Sequence, residues 1–276
     1  MFHLNAITPM SDNSLMPVAF FGHGSPTTIL DDPKTVRAWR GLASQFPAPR
    51  AILCISAHWC TQGVRVTATE APRTIHDFGS NLPAALFDIQ YEAPGNPELA
   101  HLILDLLAPI GVELDYDWGL DHGTWAVLSA IYPAADVPVV QLSMDMSKPI
   151  SWHYNVGRAL RPLREHGILI LGSGNVVHTL SQMEWNINAR PYDWAERFND
   201  LVISVVETDT PQRLFDHGAL GKDAALSVPP ADLGHYWPLF YVLGSRLASD
   251  KLTMKPRHVQ YKSLSMMSFA LHSART

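Results

Sequence analysis

Unbroken apolar runs, rather than alternating ones, set the pattern along this chain. Pro17-Val18-Ala19-Phe20-Phe21 stops at Gly22-His23-Gly24, and Ala51-Ile52-Leu53-Cys54-Ile55-Ser56-Ala57 stops at His58-Trp59. Two further runs cover 137–143 and 168–171, the second leading into Gly172-Ser173-Gly174-Asn175-Val176-Val177-His178. Short β-rich runs with no polar face predict strands covered on both sides, as in a parallel sheet. Between the third and fourth runs, Trp152 to Glu165 carries apolar residues at helical spacing, with Gly167 as a stop signal. The resulting order of strand, helix and strand favours a parallel arrangement.

Further helices are expected at 97–107, 194–207 and 235–243, and a late strand at 264–270. No internal repeat, low-complexity tract or convincing domain boundary interrupts the chain. The expectation is one α/β domain over 16–270, preceded by an N-terminal extension over 1–15. Its centre would be a largely parallel, twisted sheet flanked by helices. Ligand sites in such sheets lie outside the carboxyl ends of the strands, so the residues just after each strand carry the functional question.

Composition narrows the classes. With 276 residues, 47% of them hydrophobic and 17% charged, the chain can bury a large core. A net charge of -6 without a Lys/Arg cluster argues against nucleic acid. No apolar run is long enough to cross a membrane and no basic leader precedes one, which gives the expectation of a cytoplasmic protein without membrane partners. The two cysteines, Cys54 and Cys60, form no Cys-x-x-Cys pattern and are read as buried reduced thiols.

The thirteen histidines change the picture most. His23, His58 and His178 each follow a predicted strand in a Gly- or Ser-flanked turn. Imidazole is the commonest metal ligand near neutral pH, and strand ends can bring distant histidines to one point. Competing motifs fail. Gly22-His23-Gly24 opens like a dinucleotide fingerprint, but Thr27 stands where the third glycine is required. Ser173 lacks the Gly-x-Ser-x-Gly spacing of a hydrolase nucleophile.

Several segments together resemble the DOPA-dioxygenase branch of the class III extradiol ring-cleaving dioxygenases. They are Gly22-His23-Gly24-Ser25-Pro26, Ser56-Ala57-His58-Trp59, Thr74-Ile75-His76-Asp77-Phe78-Gly79, Asp121-His122-Gly123-Thr124-Trp125, Ser173 to His178, Gly234-His235-Tyr236 and Ser263-Leu264-Ser265-Met266. The resemblance implies that His23, His58 and His235 hold a metal. It implies that His178 is the catalytic acid/base, close enough to be a fourth ligand without substrate, and that His122 is a second catalytic pocket histidine. The wider class uses a glutamate where His235 stands.

An all-histidine site is neutral and also suits zinc, whereas ring cleavage needs a redox metal. Ferrous iron, Fe(2+), is therefore expected for activity, and Zn(2+) as an ion the isolated protein can carry. The expected partners are a catechol and dioxygen, the product a muconic semialdehyde, and the assembly a monomer or small homo-oligomer. Two alternatives stand beside this reading: a zinc-dependent hydrolase with Asp121 as its carboxylate base, and a non-catalytic metal- or small-ligand-binding protein. His76 fits capping and pocket roles equally. Trp59, Trp125 and Tyr236 read as core, and a substrate carboxylate would call for Arg or Lys at the pocket rim.

Overall fold

A computed structural model describes residues 15–273; apart from residue 15, the expected extension over 1–15 lies outside them. The central sheet has six strands, here numbered in chain order: β1 (Val18–Gly22), β2 (Ala51–Ser56), β3 (Val139–Gln141), β4 (Ile168–Gly174), β5 (Asp250–Met254) and β6 (Phe269–Ser273). Their spatial order is β3-β2-β4-β1-β6-β5. The first four pair in parallel, and β6 and β5 extend that sheet antiparallel.

Alternate residues of each central strand enter two separate cores, which is why these runs have no polar face. Val18, Phe20, Leu53, Ile55, Ile168 and Ile170 point to one side. Ala19, Phe21, Ile52, Cys54, Leu169 and Leu171 point to the other. Helices of eight residues or more are numbered α1 (Pro33–Ala43), α2 (Pro97–Leu106), α3 (His122–Ile131), α4 (Ile150–Leu160), α5 (Asp193–Thr208) and α6 (Pro238–Ser245). Residues of α2, α4, α5 and α6 fill the first core, and residues of α1 and α3 fill the second. Three helices begin on a side-chain cap: Asp32, Asn96 and Asp121 each accept the backbone N–H three residues on.

Register decides where function can sit. Gly22 lies opposite Gly174 between β1 and β4, and Ser56 lies opposite Ser173 between β2 and β4. Three parallel strands therefore end level, and the histidines following them emerge on one edge of the sheet.

Several boundaries differ from expectation. The helix expected over 152–165 is α4 followed by a 3-10 segment, Arg161–His166, and closes at Gly167 in the left-handed conformation (φ 79°). The helix expected to start at His235 starts at Pro238, and His235 ends a separate 3-10 turn, Pro230–His235. The late strand is broken. Leu264–Ser265 pairs with Val259–Gln260, and β6 begins at Phe269. The break lets the 265–267 backbone close over the end of β1, where a Cβ on Gly22 would meet the carbonyl oxygens of Ser265 and Met267 at 2.7 and 2.8 Å. The apolar runs foreshadowed neither edge strand β5, which is polar and partly exposed, nor α3, which is buried nearly all round. Cys54 is buried as expected, but Cys60 is half-buried.

Edge strand β5 is tied to the body by a buried ion pair. Arg164 and Asp250 have fully buried side chains that meet at 2.7 and 2.8 Å, and Arg164 Nε also donates to the Met16 carbonyl at 2.8 Å. Removing one member strands the other charge in the interior. Arg164→Met is predicted to lower the unfolding free energy by about 3–5 kcal/mol in urea denaturation; a loss below about 1 kcal/mol would contradict this account of the β5 anchor.

Candidate active site

Five histidines line one cavity of about 410 Å³ at the carboxyl edge of the sheet. His23 follows β1, His58 follows β2, and His178 follows β4 after a short loop. His122 is the first residue of α3, and His235 is carried in by the turn before α6. His23 Nε2 and His58 Nε2 face each other at 3.3 Å. The His235 ring centroid lies 5.5 Å from that of His23 and 5.0 Å from that of His58, and the His122 ring lies 3.9 Å from His58. His178 stacks on His235 at 3.5 Å with the ring planes 8° apart. All five residues singled out from the sequence thus converge on one place.

The outer faces of the rings are held by partners that fix which nitrogen looks inward. Ser173 donates its hydroxyl proton to the Gly123 carbonyl, so its oxygen can accept from His23 Nδ1 at 3.0 Å. His23 Nε2 is then left with its lone pair toward the cavity. Asp77 does the same for two rings at once. Its carboxylate oxygens lie 3.1 Å from His58 Nδ1 and 3.0 Å from His122 Nδ1, and the His122 backbone N–H donates to it at 2.8 Å. An imidazole whose rear nitrogen rests on a carboxylate presents its other nitrogen in ligand form.

Glycine lets these side chains crowd together. A Cβ on Gly123 would meet Ser56 Oγ at 2.5 Å and His58 Cδ2 at 2.9 Å, and one on Gly174 would meet the His235 carbonyl at 2.3 Å.

Electrostatics keep most of the cluster neutral. Burial lowers the His23 and His235 imidazoles well below the ordinary histidine value, and the neighbouring histidines push them down further. His122 is lowered by burial and by His58, against the pull of Asp77. Burial alone would raise the Asp77 carboxyl, but His122 and His58 outweigh it and hold Asp77 well below the usual carboxylate range. Neutral imidazole is the ligand form, and His235 Nε2 is buried with no hydrogen-bond partner. Such a donor set fits a divalent metal. Ligand atoms of His23, His58 and His122 lie within 4.8 Å of one another, as do those of His178, Asp232 and His235.

Sequence reasoning missed Asp77 and Asp232. Asp77 sits in the quoted Thr74-to-Gly79 motif beside His76, which drew the attention instead. His76 lies outside the cavity wall, bonded to the Ile89 carbonyl at 3.0 Å and packed among Phe78, Phe87 and Trp125. Asp232 Oδ1 stands 3.6 Å from His178 Nδ1, in a segment with no motif. Trp125 and Tyr236 are core as expected, and Trp59 stacks on Trp118. The aromatic residues that line the cavity are Phe78 and Trp185. Asp121, the base of the hydrolase alternative, is fully buried and spent on capping α3 and on Ser56 and Gln141 at 2.6 and 2.7 Å.

Comparison with known proteins fixes the family. Residues 18–220 match the model of the catalytic LigB subunit of aromatic ring-opening dioxygenase. The chain belongs to the LigB family. A 4,5-DOPA dioxygenase extradiol of Escherichia coli K12 is 46% identical over 260 residues, spanning 92% of this chain and 93% of that protein. A Beta vulgaris protein of the same description is 35% identical over 248 residues, covering 87% and 91% of the two chains. The crystal structure of an uncharacterized E. coli K12 protein superposes with a TM-score of 0.79 at 40% identity, covering 92% of this chain and 99% of that one. This LigB-family chain is therefore an aromatic ring-opening dioxygenase, a metal-dependent enzyme acting on an aromatic substrate and dioxygen. Among the described residues no helix is long and apolar enough to cross a membrane.

Two predictions follow from the geometry. Asp77→Asn should weaken divalent-metal binding by about 10–100-fold while leaving the far-UV circular dichroism unchanged; unaltered affinity in metal titration would remove Asp77 from its supporting role. The buried histidines bind fewer protons folded than unfolded, so their stabilisation is full above about pH 6.5 and is lost as pH falls below it, by up to about 1.4 kcal/mol per pH unit for each. The metal-free protein should accordingly melt lower at pH 5 than at pH 7, and an equal or higher melting temperature at pH 5 would contradict the buried neutral cluster.

Proposed function

We propose that the enzyme opens a catechol ring in the extradiol mode, beside the two hydroxyls, using ferrous iron held by His23, His58 and His235, with DOPA-like catechols as the substrate class. One observation carries the reading: five imidazoles, three of them (His23, His58 and His122) aimed by Ser173 and Asp77, face a cavity that also presents Phe78 and Trp185. The two relatives named 4,5-DOPA dioxygenase extradiol support the choice of substrate class. His235 is preferred over His122 as the third ligand because its Nε2 is buried without any partner and its ring stands 5.5 and 5.0 Å from those of His23 and His58.

Bound iron supplies two things, acidification of the catechol hydroxyls and a route for electron density from the ring to dioxygen. The protein does the rest. His178 is the acid/base: it is nearly buried at the cavity wall, stacked on His235, with Nδ1 unpartnered and ready to accept a hydroxyl proton and return it to a leaving oxygen. His122, fixed by Asp77 through both its ring and its backbone N–H and lying 3.9 Å from the His58 ring, serves as a hydrogen-bonding histidine toward the substrate. Phe78 lies edge-on to His122, ring centroids 5.5 Å apart, and offers an apolar wall for a planar ring. With His23, His122 and His235 held neutral by burial, the positive charge facing a catecholate would be the metal's own.

Protein loaded anaerobically with ferrous iron and mixed with aerated DOPA is predicted to consume oxygen while a yellow semialdehyde absorbance rises, with a zinc-loaded sample inert. Turnover with zinc and no oxygen uptake would overturn the proposal. His178→Ala should retain iron yet lose turnover by about 100-fold or more, whereas His235→Ala should lose the iron itself; full activity in the first, or unchanged iron affinity in the second, would remove that residue from its role.

A further inference from the structure

The wall of the cavity holds no lysine or arginine among the described residues, and its charges are acidic. A substrate carboxylate would call for Arg or Lys at this rim, and the lining offers neither. Of the two carboxylates present, Asp77 is occupied by His58 and His122. Asp232 is not. Its side chain is 30% exposed, and its nearest charge partner, His178 Nδ1, is 3.6 Å away, beyond a good hydrogen bond. Around it the mouth is apolar: Leu180, Met183, Trp185 and Leu264 line it, with Leu180 and Trp185 55% and 63% exposed. These two exposed apolar side chains offer a surface against which a ligand's carbon chain can lie.

We infer that Asp232 is a specificity residue, which binds a protonated amine on the side chain of the catechol and disfavours substrates whose only side-chain charge is a carboxylate. The inference rests on the proposed catechol reading and adds the charge of the substituent. With the two ring hydroxyls toward the histidines, a substituent across the ring points back to the mouth. There an ammonium can donate to the unspent Asp232 oxygens while its carbon chain lies against Trp185 and Leu180. A carboxylate in that place meets a like charge and finds no compensating cation. Charge-assisted hydrogen bonds are the strong ones, and like-charge contact selects against the wrong partner.

The test is equilibrium binding to metal-loaded holoenzyme without oxygen, so that no turnover intervenes. Calorimetric affinities would be measured for 3,4-dihydroxyphenethylamine, DOPA and 3,4-dihydroxyphenylacetate, which share one ring and differ in side-chain charge. The expected order is amine, then DOPA, then acid, with about a tenfold gap between the first and last. Asp232→Asn should collapse that gap to within about twofold, and Asp232→Glu should restore most of it. An acid that binds as tightly as the amine to the unaltered protein would overturn the inference, as would an Asp232→Asn variant that weakens all three alike or loses its metal. Those last results would place the carboxylate behind His178 or on the metal instead. Admitting air separates this from the underlying reading: binding preference without oxygen uptake would contradict the dioxygenase chemistry and leave the Asp232 assignment standing.

Discussion

The carboxylate of Asp77 stands between two imidazoles, and the arrangement of the site depends on it. His58 comes from the end of a strand and His122 from the start of a helix, elements that also meet where Ser56 donates to Asp121 at 2.6 Å. A single anion touching both rear nitrogens, and accepting the helix's own backbone N–H, sets the angle of each ring. It also keeps a negative charge one layer behind the imidazoles, held well below the usual carboxylate range by His122 and His58 against its own desolvation. Ser173 performs the neutral version of the same task for His23. The cavity-facing nitrogens of these three rings are therefore set by the protein's own contacts.

What the sheet contributes is level strand ends. β1, β2 and β4 stop in register, which turns residues 23, 58 and 178 into neighbours although they are far apart in sequence. Glycines at 22, 123 and 174 then allow backbone and side chains to approach where any Cβ would collide. Packing, hydrogen bonding and electrostatics point to the same small volume, the pattern expected when a fold positions chemistry on rigid elements rather than on loops alone.

Much of this was legible in the sequence, for physical reasons. Runs such as Ala51 to Ala57 and Ile168 to Leu171 had no polar face because both sides of a parallel sheet are covered, and histidines directly after such runs had to emerge at the strand ends. The histidines at 122 and 235 follow no predicted strand, and family resemblance alone pointed to them. Asp77 and Asp232 escaped because an aspartate in a loop reads as solvated surface or a turn; only tertiary contact reveals what it holds. The helix α3 escaped because its sequence is apolar nearly all round, which erases the helical period, and β5 because an edge strand need not be apolar. The late strand was misjudged as continuous, since an apolar run does not tell where backbone must bend to close over a neighbouring strand.

The most direct test of the central claim, that Asp77 stands behind the ligands rather than among them, is X-ray absorption spectroscopy on the protein loaded with ferrous iron under anaerobic conditions. The account predicts a first shell containing the imidazole nitrogens of His23, His58 and His235, with no carboxylate oxygen, and the same ligand types in Asp77→Asn protein saturated with iron. A carboxylate bound directly to the iron in the unaltered protein, lost in Asp77→Asn, would contradict it.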